Sequence, residues 1–205
     1  MAFQRQSLLH PDLTGHSRAA SLMQFALIAV AGSILMTLAA KFKVPFEPVP
    51  MTLQTPLICL MGLALGARLA GSAVALYLAQ GAMGLPVFAG TPEKGVGLAY
   101  MLGPTGGFLA GFLLAAVAIG WLADRGWSRS FLLATLAAFA GVAVMYAAGG
   151  VWLSGWLAMI KQVAATDALS KAVAAGIAPF LAKDLIAAVI AGLAVPLGLS
   201  MMGRR

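Results

Sequence analysis

The sequence predicts an all-α integral membrane protein, a bundle of about six transmembrane helices with both termini cytoplasmic. Three observations carry that prediction. Of 205 residues, 61% are hydrophobic and 9% charged, and the mean hydropathy is +0.96, a profile outside that of ordinary globular domains. The apolar residues fall into runs that approach or exceed the roughly 20 residues a bilayer crossing needs. Charged and bend-forming residues lie between those runs, which fill the length and leave no room for a separate soluble domain.

Residues 1–20 carry Arg5, His10, Pro11, Asp12, His16 and Arg18 without an apolar segment, so they read as a polar cytoplasmic tail and not as a cleaved signal peptide. Residues 21–205 read as one membrane domain. Its spans are expected at Ser21 to Ala40, Leu53 to Ala67, Leu69 to Phe88, Gly106 to Ala123, Phe131 to Leu153 and Ala178 to Met202. The second is short for a bilayer, and Gly66-Ala67-Arg68 must turn it very tightly into the third. Between Gly155 and Gly176, Trp156, Met159, Ile160, Val163, Leu169 and Val173 alternate with Lys161, Gln162, Thr166, Asp167 and Lys171, the pattern of an amphipathic interfacial helix. It is either a membrane-boundary anchor or a lid.

Six spans put the termini and two turns on one side, with Arg5, Arg18, Arg68, Arg125, Arg129, Arg204 and Arg205. The opposite loops hold Lys41, Lys43, Lys94, Lys161 and Lys171. The excess favours cytoplasmic termini. The net charge of +7 does not point to nucleic acid, because the basic residues stand singly and form no face interleaved with aromatics. Cys59 is alone in an apolar run, which excludes an intrachain disulfide or CxxC motif and leaves packing as its role.

The stretch from Gly81 to Gly90 ends a hydrophobic segment in bend-forming residues, crosses a loop with Glu93 and Lys94, and restarts at Gly103-Pro104-Thr105-Gly106-Gly107-Phe108. Non-helical backbone at membrane depth is tolerated only against protein or a water-filled cavity, so this joint is a candidate binding site. Asp184 and Lys183 begin the sixth span. Adjacent helical residues point about 100° apart, so they need not pair. Asp184 either bonds a neighbouring helix, with Lys183 reaching the interface, or meets a ligand. Gln80 shares a face with Tyr77 and Gly84, and its amide serves either as interhelical glue or as a partner for an amide-like or urea-like solute. Thr52, Gln54 and Thr55 open the second span as end caps or ligand contacts. These groups converge in the outer half of the bundle, around a pocket with apolar walls and a few polar anchors.

Small-residue pairs Gly62 with Gly66, Gly71 with Ala75, Gly107 with Gly111 and Ala116 with Gly120 allow close helix contact, while Ala29 with Ser33 offers a face for another subunit, a second copy included. No GxxxxGK[ST] phosphate loop occurs. Both histidines lie in the tail and no nucleophile-and-base set appears in the spans, which argues against an enzyme. No metal or cofactor is expected.

Three ordered motifs, Val49-Pro50-Met51-Thr52-Leu53-Gln54-Thr55, Tyr77 through Gly90, and Leu102 through Phe108, with Pro179-Phe180-Leu181 through Asp184-Leu185 as a weaker fourth, resemble the BioY family. These are the biotin-binding S components of energy-coupling-factor (ECF) vitamin transporters. The resemblance implies a high-affinity biotin-binding membrane subunit in the bacterial plasma (inner) membrane, without ATPase activity. It also implies work with a transmembrane coupling subunit and two ABC-type ATPase subunits. It places Gln80 and Asp184 on the ureido ring, with Tyr77 and Phe88 on the bicyclic body; Lys94, in the loop that departs from the family pattern, is the candidate for the carboxylate as a point charge. The full expected set is Thr52, Gln54, Tyr77, Gln80, Gly84, Val87, Phe88, Lys94, Lys183 and Asp184. The chain departs from the family pattern at Ala187, where a lysine is usual, and in the loop Thr91 to Gly97, usually glycine-rich. The alternatives are an S component for another small vitamin and a membrane protein with no transport role. Thiamine would require an aromatic and acidic cage, whereas a basic loop and a neutral amide suit an anionic acid with a urea head.

Overall fold

The computed structural model describes residues 18–202. The expected tail lies outside the described residues except for Arg18 to Ala20, which already belong to the first helix, and Arg204 and Arg205 lie outside them too. The elements in order are α1 (Arg18–Lys41), β1 (Lys43–Val44), β2 (Met51–Thr52), α2 (Gln54–Ala82), α3 (Gly97–Met101), α4 (Gly106–Ala123), a 3-10 turn at Trp127–Arg129, α5 (Phe131–Ile160), α6 (Ala165–Gly176) and α7 (Ala178–Met202). Five of these helices, α1, α2, α4, α5 and α7, are long and apolar enough to cross a membrane.

The second and third expected spans form α2, a single element interrupted at Gly66, where φ is 76° and ψ 176°. Residues 54–65 and 67–82 fold back on each other there. Gln54 Nε2 donates to the Tyr77 hydroxyl at 2.9 Å across 23 positions, whereas a straight helix would separate them by about 35 Å. The turn is closed from α4: the Ala67 N–H donates to Asp124 Oδ2 at 3.2 Å. The reversal needs glycine twice over, for its positive φ and because a Cβ would lie 2.2 Å from Asp124 Oδ1.

Small residues set the helix spacing. A Cβ on Gly32 of α1 would meet Ala73 at 2.6 Å and the Met61 sulfur at 3.4 Å, one from each limb of the hairpin. Gly62 lies against Ile119, Gly120 against the Ala67 backbone, and Gly107 and Gly111 against α5. These are the expected close approaches, with one exception: Ala75 is exposed, and Ala73 is the buried residue beside Gly71. Ala29 and Ser33 are buried, and Ser33 bonds Gln80 of the hairpin at 2.6 Å, so these two side chains serve the chain's own packing.

Two boundaries differ from expectation. The third span does not continue to Phe88; helix ends at Ala82, and Gly84 (φ 95°) and Pro86 turn the chain. The fifth continues to Ile160, because Gly155 sits inside the helix without breaking it. At 30 residues α5 measures about 45 Å against about 27 Å for the 18 residues of α4, so it extends beyond the start of α4, where Trp152 packs on Gly106 and Gly107. The expected amphipathic segment is thus the end of α5 followed by α6. Helix α6 turns small residues inward, Ala168 and Ala172, and leaves Leu169 and Val173 exposed.

The topology sorts the chain ends. The start of α1, the Gly66 turn, the α4 to α5 connection and the end of α7 share one end of the bundle. Lys41, the β1/β2 ribbon, the 83–105 connection, α6 and the start of α7 share the other.

Candidate functional site

At the end opposite the termini, a cleft opens between the β2 segment, the start of α2, and helices α4, α5 and α7. Its chemistry is concentrated on Asp184, in the second turn of α7 and 1% exposed. The Tyr146 hydroxyl of α5 donates to Asp184 Oδ2 at 2.5 Å. The Lys183 ammonium pairs with Oδ1 and also donates to the Thr52 carbonyl at 3.0 Å. Neighbours on one helix turn therefore do pair here: the long lysine stem curls back to the carboxylate. Burial makes that pairing obligatory, since a lone buried charge is strongly disfavoured. Phe108 and Phe112 of α4, Met145 of α5 and Phe180 of α7 supply apolar walls, and Thr55 adds a hydroxyl. Phe46 covers the rim, edge-on to Phe180 at 5.9 Å.

Among the ten expected site residues, Thr52, Lys183 and Asp184 line this cleft. The other seven do not. Gln54 stands behind it, buried, joining Thr52 (3.2 Å between side-chain oxygens) to the Tyr77 hydroxyl. Tyr77 and Phe88 fill the adjacent core: the rings meet edge-on at 5.4 Å, Phe88 stacks on Tyr100 at 5.1 Å, and a Cβ on Gly81 would collide with the Phe88 ring. Val87 packs in the same core. Gly84 forms the turn. Gln80 faces α1 and is engaged by the Ser33 hydroxyl, so the reading of its amide as interhelical glue is the one the geometry matches. Lys94 is exposed and paired with Glu47 at 2.7 Å, next to the Phe46 rim and not among the residues that line the cleft.

The loop after the hairpin is held by cations from α1 and β1. Lys41 Nζ donates to the Phe88 and Thr91 carbonyls at 3.0 and 3.3 Å, and Lys43 Nζ to the Ala89 carbonyl at 2.7 Å. Non-helical backbone at this depth thereby finds partners within the protein.

The sequence reading missed Tyr146, Phe108, Phe112 and Met145. Tyr146 had a signal: it is one of three tyrosines, and its hydroxyl sits in an otherwise apolar helix where a buried phenol needs a partner. Phe108 and Phe112 are four apart and share a face of α4. The unoccupied space is small, about 40 Å³, against roughly 300–1,000 Å³ for small-molecule pockets. A ligand of vitamin size enters only when side chains or the Phe46 to Pro50 segment move aside.

Comparison with known proteins shows the family. A family-wide sequence model described as the BioY family matches residues 13–204. The biotin transporter BioY of Thermotoga maritima is 40% identical over 159 residues, covering 78% of this chain and 86% of that one. The biotin transporter BioY of Rhodobacter capsulatus is 37% identical over 172 residues, covering 82% and 88%. Among solved structures, the S-component for biotin from an ECF-type ABC transporter superposes with a TM-score of 0.71 at 21% identity, covering 91% of this chain and 95% of its own. That likeness is one of fold.

Proposed function

Because the chain belongs to the BioY family, we propose that it is the biotin-binding S component of an ECF-type uptake transporter, and that the Asp184 cleft receives the vitamin. The single observation that carries the site assignment is the buried Asp184 carboxylate, held by Tyr146 and Lys183 between aromatic walls. A carboxylate accepts hydrogen bonds and offers none, which suits the two N–H donors of a ureido ring. Phe108, Phe112 and Phe180 provide the apolar surface for the fused rings. Lys183, bonded to Asp184 Oδ1 and to the Thr52 carbonyl, holds the carboxylate that meets the ureido ring, and the biotin carboxylate, a fused ring and four methylenes away, lies outside this pair.

The hairpin limbs of α2 count as two spans, which makes six and puts both termini on one side. Arg68, Arg125 and Arg129 lie at the termini end, and Lys41, Lys43, Lys94, Lys161 and Lys171 at the cleft end. With the terminal arginines included, the positive-inside bias favours cytoplasmic termini and an outward-facing cleft in the bacterial inner membrane. Residues 21–205 then act as one membrane domain. Energy comes from a coupling subunit and two ABC-type ATPases, in keeping with a sequence that has no GxxxxGK[ST] loop of its own.

The test is uptake of labelled biotin by cells that lack their own biotin transporter. Cells producing the chain with coupling and ATPase subunits should accumulate biotin, and Asp184→Ala cells with equal membrane levels of the chain should not. Background uptake by the native chain in that setting would refute the transporter reading.

A further inference from the structure

Lys183 also stands at the head of a second feature. A groove of about 200 Å³ runs along the outside of the bundle between the first limb of α2 and α7. Pro56 and Leu60 form one wall, Ile186 and Ile190 the other, and the small Ala187 and Ala191 the floor. Ile186 and Ile190 are one turn apart, so the groove descends from the cleft end toward the middle of the bundle and opens outward.

Above it lies a vestibule of about 410 Å³, lined by Lys41, Lys43 and Lys183 with the apolar Phe42, Val44 and Leu53. Each ammonium already has protein partners: Lys41 the Phe88 and Thr91 oxygens, Lys183 Asp184 and the Thr52 carbonyl, and Lys43 the Ala89 carbonyl with Glu93 3.9 Å away, which makes Lys43 the least committed of the three. With two acids against three cations the vestibule stays net positive. A cationic head joined through one shared residue to an apolar, laterally open groove is the complement of an amphiphile with an anionic head. We propose that this surface binds one anionic phospholipid, with part of an acyl chain in the α2/α7 groove and the phosphate at Lys43, in the positive field that Lys41 adds. The site is separate from the Asp184 cleft and goes beyond the biotin assignment, sharing only Lys183 and the neighbouring Met51 and Thr52 with it.

Native mass spectrometry of the full chain in mild detergent tests this, with dioleoyl-phosphatidylglycerol and dioleoyl-phosphatidylcholine supplied in equal amounts. The native chain should retain one phosphatidylglycerol at least tenfold over phosphatidylcholine. Ile190→Trp, which fills the groove, should lower that retention at least fivefold, and Lys43→Gln should lower the preference between the two lipids at least threefold. Glycerol 3-phosphate at matched concentration should not displace the lipid. Equal retention of the two lipids by the native chain overturns the proposal without any variant. So does displacement by glycerol 3-phosphate, which would mean a free-phosphate site, or an unchanged preference in Lys43→Gln, which remains decisive if Ile190→Trp fails to fold.

Discussion

Replacing Gly66 by alanine should destabilise the whole domain, because this residue makes the α2 hairpin. With φ 76° and ψ 176°, it occupies a region reserved almost wholly for glycine, where another residue costs about 1–3 kcal/mol. The new Cβ would also stand 2.2 Å from Asp124 Oδ1. It would push the carboxylate off the Ala67 N–H, a cap-like bond whose loss costs about 1 kcal/mol. Together these give about 2–4 kcal/mol, or roughly 5–15 °C in Tm for a chain of this size. The protein supplies its own reporter: its one cysteine, Cys59, is fully buried, so a thiol-reactive dye reads unfolding in detergent directly. Asp124→Ala should lose about 1 kcal/mol alone. In that background Gly66→Ala has no carboxylate to displace, so the double variant should be less destabilised than the sum by about that amount. A Tm for Gly66→Ala within 2 °C of the native chain would refute the hairpin argument; strictly additive losses would refute the part assigned to Asp124.

Asp184→Asn keeps the shape of the site but removes the charge from its hydrogen bonds, and should weaken biotin binding about tenfold by equilibrium dialysis, since charged bonds exceed neutral ones by about 1–1.5 kcal/mol. Binding within twofold of native would contradict the role given to the carboxylate. Gln80→Ala and Ser33→Ala should each lower stability by about 1 kcal/mol, with the double variant little worse than either, while biotin affinity changes less than threefold; a large loss of affinity in Gln80→Ala would restore it to the ligand site. Gly107→Val should fail to accumulate as folded protein, because a side chain there meets Trp152 Cβ at 2.1 Å and the Ala148 carbonyl at 2.6 Å; a monodisperse variant by size exclusion would contradict the α4/α5 packing.

The architecture was legible because a bilayer demands long apolar runs and because reversals of direction need particular residues. Gly66 announced its turn, and Gly103-Pro104 announced the start of α4. The end of α5 was not legible: Gly155 looks like a boundary in sequence, yet helix propensity is a weak prior and packing of α6 on α5 carries the helix through it. Asp184 stood out, as a buried acid in an apolar span must. Tyr146 did not, because a phenol reads as another large apolar residue until its partner, 38 positions away, is in view. Gln80 and Lys94 have partners that no local pattern shows, for one shared reason. An amide or an ammonium is chemically suited to a ligand wherever it lies, and what engages it instead, Ser33 or Glu47, each 47 positions upstream, becomes apparent only once the chain is folded.

The measurement that tests the central claim most directly is equilibrium binding of biotin and biotin methyl ester to the purified chain, set beside Lys183→Gln and Lys94→Gln. Tight stoichiometric biotin binding is expected of the native chain, with affinity within threefold of it in Lys94→Gln. In Lys183→Gln, which takes the cation from Asp184, binding of biotin and of its methyl ester should weaken together, at least tenfold. Native affinity in Lys183→Gln would contradict the assignment of the Asp184 cleft, a loss confined to the free acid in Lys94→Gln would place the biotin carboxylate at that lysine, and no binding by the folded native chain would contradict the biotin assignment itself.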